Sequence, residues 1–142
     1  MATISKRELI VQACMARLAS AAGVSGRVFR AQADPNDRDT HPYIAVRWVS
    51  ESASPDTVPQ LERTLGIEVA VYTRSDAPDV AADPILVSAH ALLMADTQLG
   101  GLAIDMRLED ASTEIVAADM PAAKTTHNYS VKFRHSYSDM TT

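Results

Sequence analysis

From Leu61 to Tyr72 the chain alternates without a break. Leu61, Arg63, Leu65, Ile67, Val69 and Val71 fall on one side, and Glu62, Thr64, Gly66, Glu68, Ala70 and Tyr72 on the other. A period of two sustained over that length suits an extended strand and no helix, and its apolar side demands a layer packed on it. A second segment, Lys124 to Ser136, sets Tyr129, Val131, Phe133 and His135 against Asn128, Ser130, Lys132 and Arg134. Two long half-apolar strands commit the chain to a sheet with one wet face.

The remaining elements are placed around these two. Ser5 and Glu8 form an S-x-x-E capping box, with Ile4 and Leu9 positioned as a hydrophobic staple. Leu9, Ile10, Ala13, Ala16, Leu18 and Ala19 continue as an apolar stripe, so a first helix is expected over Lys6 to Ala22, stopped by Gly23. Arg27 to Arg30 reads as a short strand. Asp34 to Asp39 is dense in Pro, Asn and Asp and reads as a loop. Tyr43 to Ser50 alternates Ile44, Val46 and Trp48 against Tyr43, Ala45, Arg47 and Val49, which is a further strand. Glu51 to Gln60, with two prolines and no periodicity, is expected to be an exposed loop.

Beyond the turn at Thr73 to Pro78, Asp83-Pro84 offers an N-cap followed by proline, and a second helix is expected over Pro84 to Ala95. A start at Asp76 or Pro78 with a bend near Pro84 fits equally well. Gly100-Gly101 breaks the chain, Leu102 to Leu108 alternates as a strand, and Ser112 to Ala123 reads either way. Residues 137–142 make a short flexible polar tail. Consecutive strands therefore sit together, and the expected class is α+β, a mostly antiparallel sheet with two helices on one face. At 142 residues, a single domain is expected over 1–142.

Composition removes several function classes. The net charge is −5, with no basic run to neutralise a phosphate backbone, which argues against a duplex-binding module. The single cysteine, Cys14, allows neither an internal disulfide nor a cysteine zinc cage, and suits a reducing compartment. No apolar run reaches the roughly 20 residues of a spanning helix, and Met1 to Glu8 has no signal-peptide core, so no membrane association is expected.

Chemistry is sparse. The G-x-S-x-G, G-x-x-x-x-G-K-[ST], G-x-G-x-x-G and H-E-x-x-H patterns are all missing. Asp34, Asn36, Asp37 and Asp39 imitate the start of a calcium loop, but its sixth and twelfth positions hold Asp39 and Ala45 instead of Gly and Glu. His41, His90, His127 and His135 are not spaced as ligand pairs, and Cys14 among apolar neighbours reads as an inert packing residue. No catalytic residue, cofactor or metal is expected. The aromatic candidates for a partner surface are Tyr43, Trp48 and Tyr72. Trp48, in step with Ile44 and Val46, reads first as core beneath the first helix.

Together these segments resemble the tail terminator, or tail completion, proteins of long-tailed bacteriophages. The resemblance is carried by the capped first helix with Arg7, Ile10 and Leu18, the strand Pro42 to Val46, and the strand Arg63 to Tyr72 running into Thr73-Arg74-Ser75. It is carried also by the leucine-rich second helix ending in the D-x-x-L-G-G of Asp96 to Gly101, and by the closing Tyr129 to Arg134. It implies a non-enzymatic virion protein, made in the host cytoplasm, that closes into a ring, a hexamer. The ring would cap the head-proximal end of the tail tube, stop tube growth and offer the head its docking surface at the tail-neck junction. Its partners would be its own copies, the tail tube protein and the head-tail connector proteins, with DNA only as passing cargo. A closed ring of heterologous contacts is a physically sufficient cap.

Candidate interface residues, taken from alternation and aromatic content, are Arg47, Trp48, Tyr72, Arg74 and Arg134. Two other readings stand beside this one. One is a head-to-tail connector or neck protein of the same architecture. The other is a small ligand-binding α+β domain with a site between the second helix and the sheet, using His90 and Tyr72.

Overall fold

The structure, a computed structural model, describes residues 3–30, 42–55, 60–116 and 120–142. The expected loop at Asp34 to Asp39, with its calcium-like spacing, and His41 lie outside the described residues. The elements run α1 (Lys6–Leu18), β1 (Val28–Arg30), β2 (Tyr43–Pro55), β3 (Gln60–Arg74), α2 (Pro78–Met94), a 3-10 turn (Leu99–Gly101), β4 (Asp105–Val116) and β5 (Ala122–Ser136). The five strands form one sheet in the order β1-β2-β3-β5-β4. Only the β1–β2 pair is parallel, and β2–β3, β3–β5 and β4–β5 are antiparallel. The fold is α+β.

Burial explains the arrangement. Ile44 and Val46 of β2, Leu65, Ile67, Val69 and Val71 of β3, and Tyr129, Val131 and Phe133 of β5 share one sheet face and one apolar cluster. Ile10, Val11, Cys14 and Leu18 of α1 and Ile85, Leu86, Ala89 and Leu93 of α2 close that cluster from above. Each such side chain withdrawn from water contributes roughly 1.5–3 kcal/mol, the main favourable term for folding. Both alternating strands lie in the interior of the sheet, where helices cover one face and, among the described residues, none covers the other.

The first helix begins as its capping box requires, with the Glu8 N–H donating to Ser5 Oγ at 3.1 Å. Ile4, the expected staple, remains 45% exposed. The helix ends at Leu18, short of the expected Ala22, because its last turn tightens. Ser20 N–H donates to the Arg17 carbonyl and Ala21 N–H to the Leu18 carbonyl, which is the narrower 3-10 pattern. Gly23 then turns the chain at φ 87°.

The second helix takes the earlier of the two possible starts. Pro78 occupies its first turn and Pro84 lies inside it, so Asp83 is a helical residue rather than the N-cap. Pro84 removes the donor that would reach the Val80 carbonyl, but this side of α2 is exposed and water can satisfy the oxygen. Thr73 Oγ1 donates to the Pro78 carbonyl at 2.7 Å and anchors the entry turn to β3.

Two expectations about strands change. Most of the expected loop at Glu51 to Gln60 is strand, because β2 continues to Pro55 and β3 begins at Gln60, with 56–59 outside the described residues. The expected strand at Leu102 to Leu108 starts later and runs further, from Asp105 to Val116. The ambiguous segment Ser112 to Ala123 thus divides between the end of β4 and the start of β5, with 117–119 undescribed. The polar terminus folds back on α1: Ser136 bridges to Asp139, and Lys6 N–H donates to the Met140 carbonyl at 2.9 Å.

Candidate assembly interface

Among the described residues no helix covers the sheet face that carries Tyr43, Ala45, Arg47, Ser50, Ser52 and Ser54 on β2, opposite Tyr72, Ala70, Glu68, Gly66, Thr64 and Glu62 on β3. On β5 the same face carries Lys124, Thr126, Asn128, Ser130, Lys132 and Arg134. Four of the five candidate interface residues, Arg47, Tyr72, Arg74 and Arg134, lie on this face, but not in one cluster. Arg74 and Arg134 stand at opposite ends, twelve β3 positions apart by register, or roughly 40 Å.

Each of the four is held by a neighbour. Arg47 Nε donates to Glu68 Oε2 at 2.6 Å, and Lys124 Nζ lies 3.6 Å from the other Glu68 oxygen. The hydrogen bond and the charge of Glu68 push the Arg47 guanidinium above its ordinary value, so it is a fixed cation. Tyr72 stacks on Tyr43 with ring centroids 4.7 Å apart and planes 7° from parallel, and Lys124 Nζ sits 6.0 Å from the Tyr72 ring. Such contacts stiffen the aromatic pair, of which Tyr43 is buried and Tyr72 half-buried. Arg74 reaches toward the Met120 carbonyl at 3.5 Å, while its buried Nε has no partner among the described residues. Arg134 lies 3.8 Å from Glu62.

Trp48 is the exception, and it corrects the reading of it as core. It lies on the helix side of β2, in step with Ile44 and Val46, but past the end of the covered area, and is 40% exposed. The Arg7 guanidinium of α1 covers it at 4.4 Å from the ring centroid. Next to it is a feature that the loop assignment hid. Glu51, 7% exposed at its side chain, accepts from Arg7 at 2.7 Å and pairs with Arg63 at 2.9 Å. Arg63 Nε donates to His135 Nε2 at 3.0 Å. An arginine has no lone pair to offer, so His135 carries its proton on Nδ1 and donates it to the Ser136 carbonyl at 2.7 Å. The only signal of this network in the sequence was Arg63 on an otherwise apolar strand side.

The geometry also separates the proposed ligand pair. His90 faces the helix side, with Nδ1 2.9 Å from Tyr129 Oη, whereas Tyr72 is on the other side of the sheet. No site can use both. His127 approaches the same phenol at 3.5 Å, and burial together with His90 holds its imidazole below the ordinary value. Burial pushes the Tyr129 phenol up to about 12, so the phenol keeps its proton at pH 7. Among the described residues no group of three His, Cys, Asp or Glu side chains is placed to hold a metal ion. Among the described residues no helix is long and apolar enough to cross a membrane.

Two further features shape the surface. β2 bulges between Trp48 and Ser50, and β4 between Leu108 and Asp110, and both bulges flank the same central pair, Ile67 and Tyr129. Paired bulges bend the outer strands at one level. A shallow concavity of about 330 Å³ opens there, lined by Ser50, Ser52, Thr64, Gly66, Asn128 and Ser130 among others, with no His or Cys. The second feature is β4 itself, an edge strand exposed from Arg107 to Ile115, with its outer backbone groups unpaired within the sheet.

The sequence matches no protein-family model and no curated protein. Among solved structures, a chain of the virion of a native gene transfer agent particle shares the fold, with a TM-score of 0.51 and 15% identity, over 87% of this chain and 94% of that one.

Proposed function

We propose that this chain is a structural component of a phage-like virion, in which its copies close into a ring of six that caps the head-proximal end of the tail tube. The observation that carries the reading is the nearly complete mutual coverage with a virion chain. The likeness extends over almost the whole of both chains, so it concerns the entire architecture and not a shared hairpin. The exposed β4 edge and the uncovered sheet face supply surfaces for subunit contacts. The role requires complementary faces and no reacting group, and Arg47, Trp48, Tyr72, Arg74 and Arg134 are its interface residues in this reading.

The test is to mix the purified protein with growing tail tubes of the same particle and image them. Rings at one end, with tube length fixed at the moment of addition, are the expected result. Rings that bind the head-side connector and leave tube growth unchanged would move the protein to the neck. Tubes that grow on with bare ends, together with no binding to connectors, would overturn the reading.

A further inference from the structure

Three rings from two elements converge on one oxygen. His90 of α2 stands with Nδ1 2.9 Å from Tyr129 Oη, and His127 of β5 turns the same ring nitrogen toward that oxygen at 3.5 Å. The ring centroids are 6.2, 5.9 and 6.1 Å apart in pairs, so the two imidazoles and the phenol surround a common point. The shorter distance is a hydrogen bond, and the longer one exceeds the length of a good one. Both imidazoles are half-buried and open to solvent on one side, whereas the Tyr129 ring is fixed in the core.

We propose that His90 and His127, each through Nδ1, and Tyr129, through its phenol oxygen, hold a divalent transition metal, zinc or copper, between α2 and β5. The site belongs to the single subunit and does not depend on the ring reading. Ligands bonded at about 2.0–2.2 Å in a tetrahedron stand about 3.3 Å from one another, and the two observed separations fall on either side of that edge. The donor set selects the cation. Imidazole nitrogens suit zinc and copper, whereas calcium and magnesium take oxygen ligands. Two imidazoles alone leave the coordination half filled; the phenol oxygen is the third ligand and a water the fourth. Without an ion the phenol keeps its proton. On binding, the metal–oxygen bond forms as the O–H bond breaks, the proton passes to solvent, and the charge of the ion balances the phenolate in its place. His90 belongs to α2 and the other two ligands to β5, so the ion ties helix to sheet. An ion bound only by the folded chain stabilises it.

The test titrates the full chain, first freed of metal by a chelator, with zinc chloride by calorimetry and with copper(II) chloride by absorption. Wild type is compared with His90→Ala, His127→Ala and Tyr129→Phe, with His41→Ala as a control. Tyr129→Phe keeps the ring that packs in the core and removes only the oxygen, so it carries the test even where an alanine variant loses its fold by circular dichroism. The expected result is one ion per chain, with a melting temperature that zinc raises and the chelator returns. Affinity should weaken roughly tenfold or more in each of the three variants, at least what the loss of an outer-shell partner costs, and stay unchanged in His41→Ala. Copper should give a visible phenolate-to-metal charge-transfer band that Tyr129→Phe lacks. No saturable binding, or binding that His90→Ala and His127→Ala retain, would overturn the site. Binding that needs both imidazoles but is equally tight in Tyr129→Phe, with no such band, would overturn the three-ligand set. Binding lost in His41→Ala alone would place the ion elsewhere and overturn it too.

Discussion

Arg7 serves Trp48 and Glu51 at once: its guanidinium lies 4.4 Å from the Trp48 ring centroid and donates to Glu51 Oε2 at 2.7 Å. The second cation on Glu51, Arg63, is itself bonded to His135, so four side chains from α1, β2, β3 and β5 share one polar network at the edge of the core. Removing the carboxylate leaves two arginines facing each other with little solvent. Glu51→Ala should therefore lower stability by about 2 kcal/mol, less than for a fully buried pair because both arginines are partly wet. Trp48→Ala should lower it by about 1 kcal/mol or less, the size of an exposed cation–π contact. Urea midpoints at pH 7 decide between this order and its reverse.

Gly66 leaves room for the β2 bulge. A Cβ at this position would sit 2.6 Å from Ser50 Oγ and 3.3 Å from Val49 Cγ2. Gly66→Ala should destabilise by about 1–2 kcal/mol through overpacking. Adding Ser50→Gly to that variant should recover most of the loss. A double variant no more stable than Gly66→Ala would show that Val49, not Ser50, sets the limit.

His127 makes stability fall in mild acid. Its imidazole is held below the ordinary value of 6.5, first by burial and then by His90. The unfolded chain therefore binds a proton at a higher pH than the folded one, and stability should decline as pH drops below 6.5 until the folded imidazole is also charged. His127→Gln should flatten that part of the pH profile. Denaturant midpoints taken every half unit from pH 7.5 downward would show the difference, and parallel profiles would refute it.

Asp96 organises the D-x-x-L-G-G segment. Its carboxylate accepts from Gly100 N–H at 2.9 Å and Gln98 N–H at 3.0 Å while Leu99, Gly100 and Gly101 all take positive φ. These backbone bonds, led by that of Gly100, hold the carboxyl below its usual range. The bonus is present above the unfolded value near 3.8 and is lost as pH falls toward the lower folded one. Asp96→Asn should lower the melting temperature at pH 7, and the gap to wild type should close in strong acid. A gap independent of pH would remove the carboxylate from this role.

Cys14 should be silent in the native protein. It is 1% exposed, and burial pushes its thiol up to about 12, so neither access nor thiolate is available at pH 7. Labelling by a disulfide reagent should proceed only as fast as the protein unfolds. Fast labelling without denaturant would contradict the packing of α1 on the sheet.

Much of this architecture was legible in the chain. The alternations of Leu61 to Tyr72 and Lys124 to Ser136 became the central pair β3 and β5, and the Ser5 to Glu8 box became the start of α1. The misread segments have a common cause. Periodicity reports burial of one face, whereas a strand is made by backbone pairing. Residues 52–54 of β2 and 107–115 of β4 are exposed, so they pair without alternating burial, and nothing in their composition announces it.

Sequence alone determined the class of fold and the cap of the first helix, because each is a local or compositional property. Tertiary structure decided what depends on distance along the chain. It carried α2 through Pro84, since that side of the helix faces solvent. It moved Trp48 out of the core, since β2 extends beyond the helices, and it set His90 and Tyr72 on opposite sides of the sheet. It also left the outer face of α2 bare, which local pattern cannot distinguish from a second buried face.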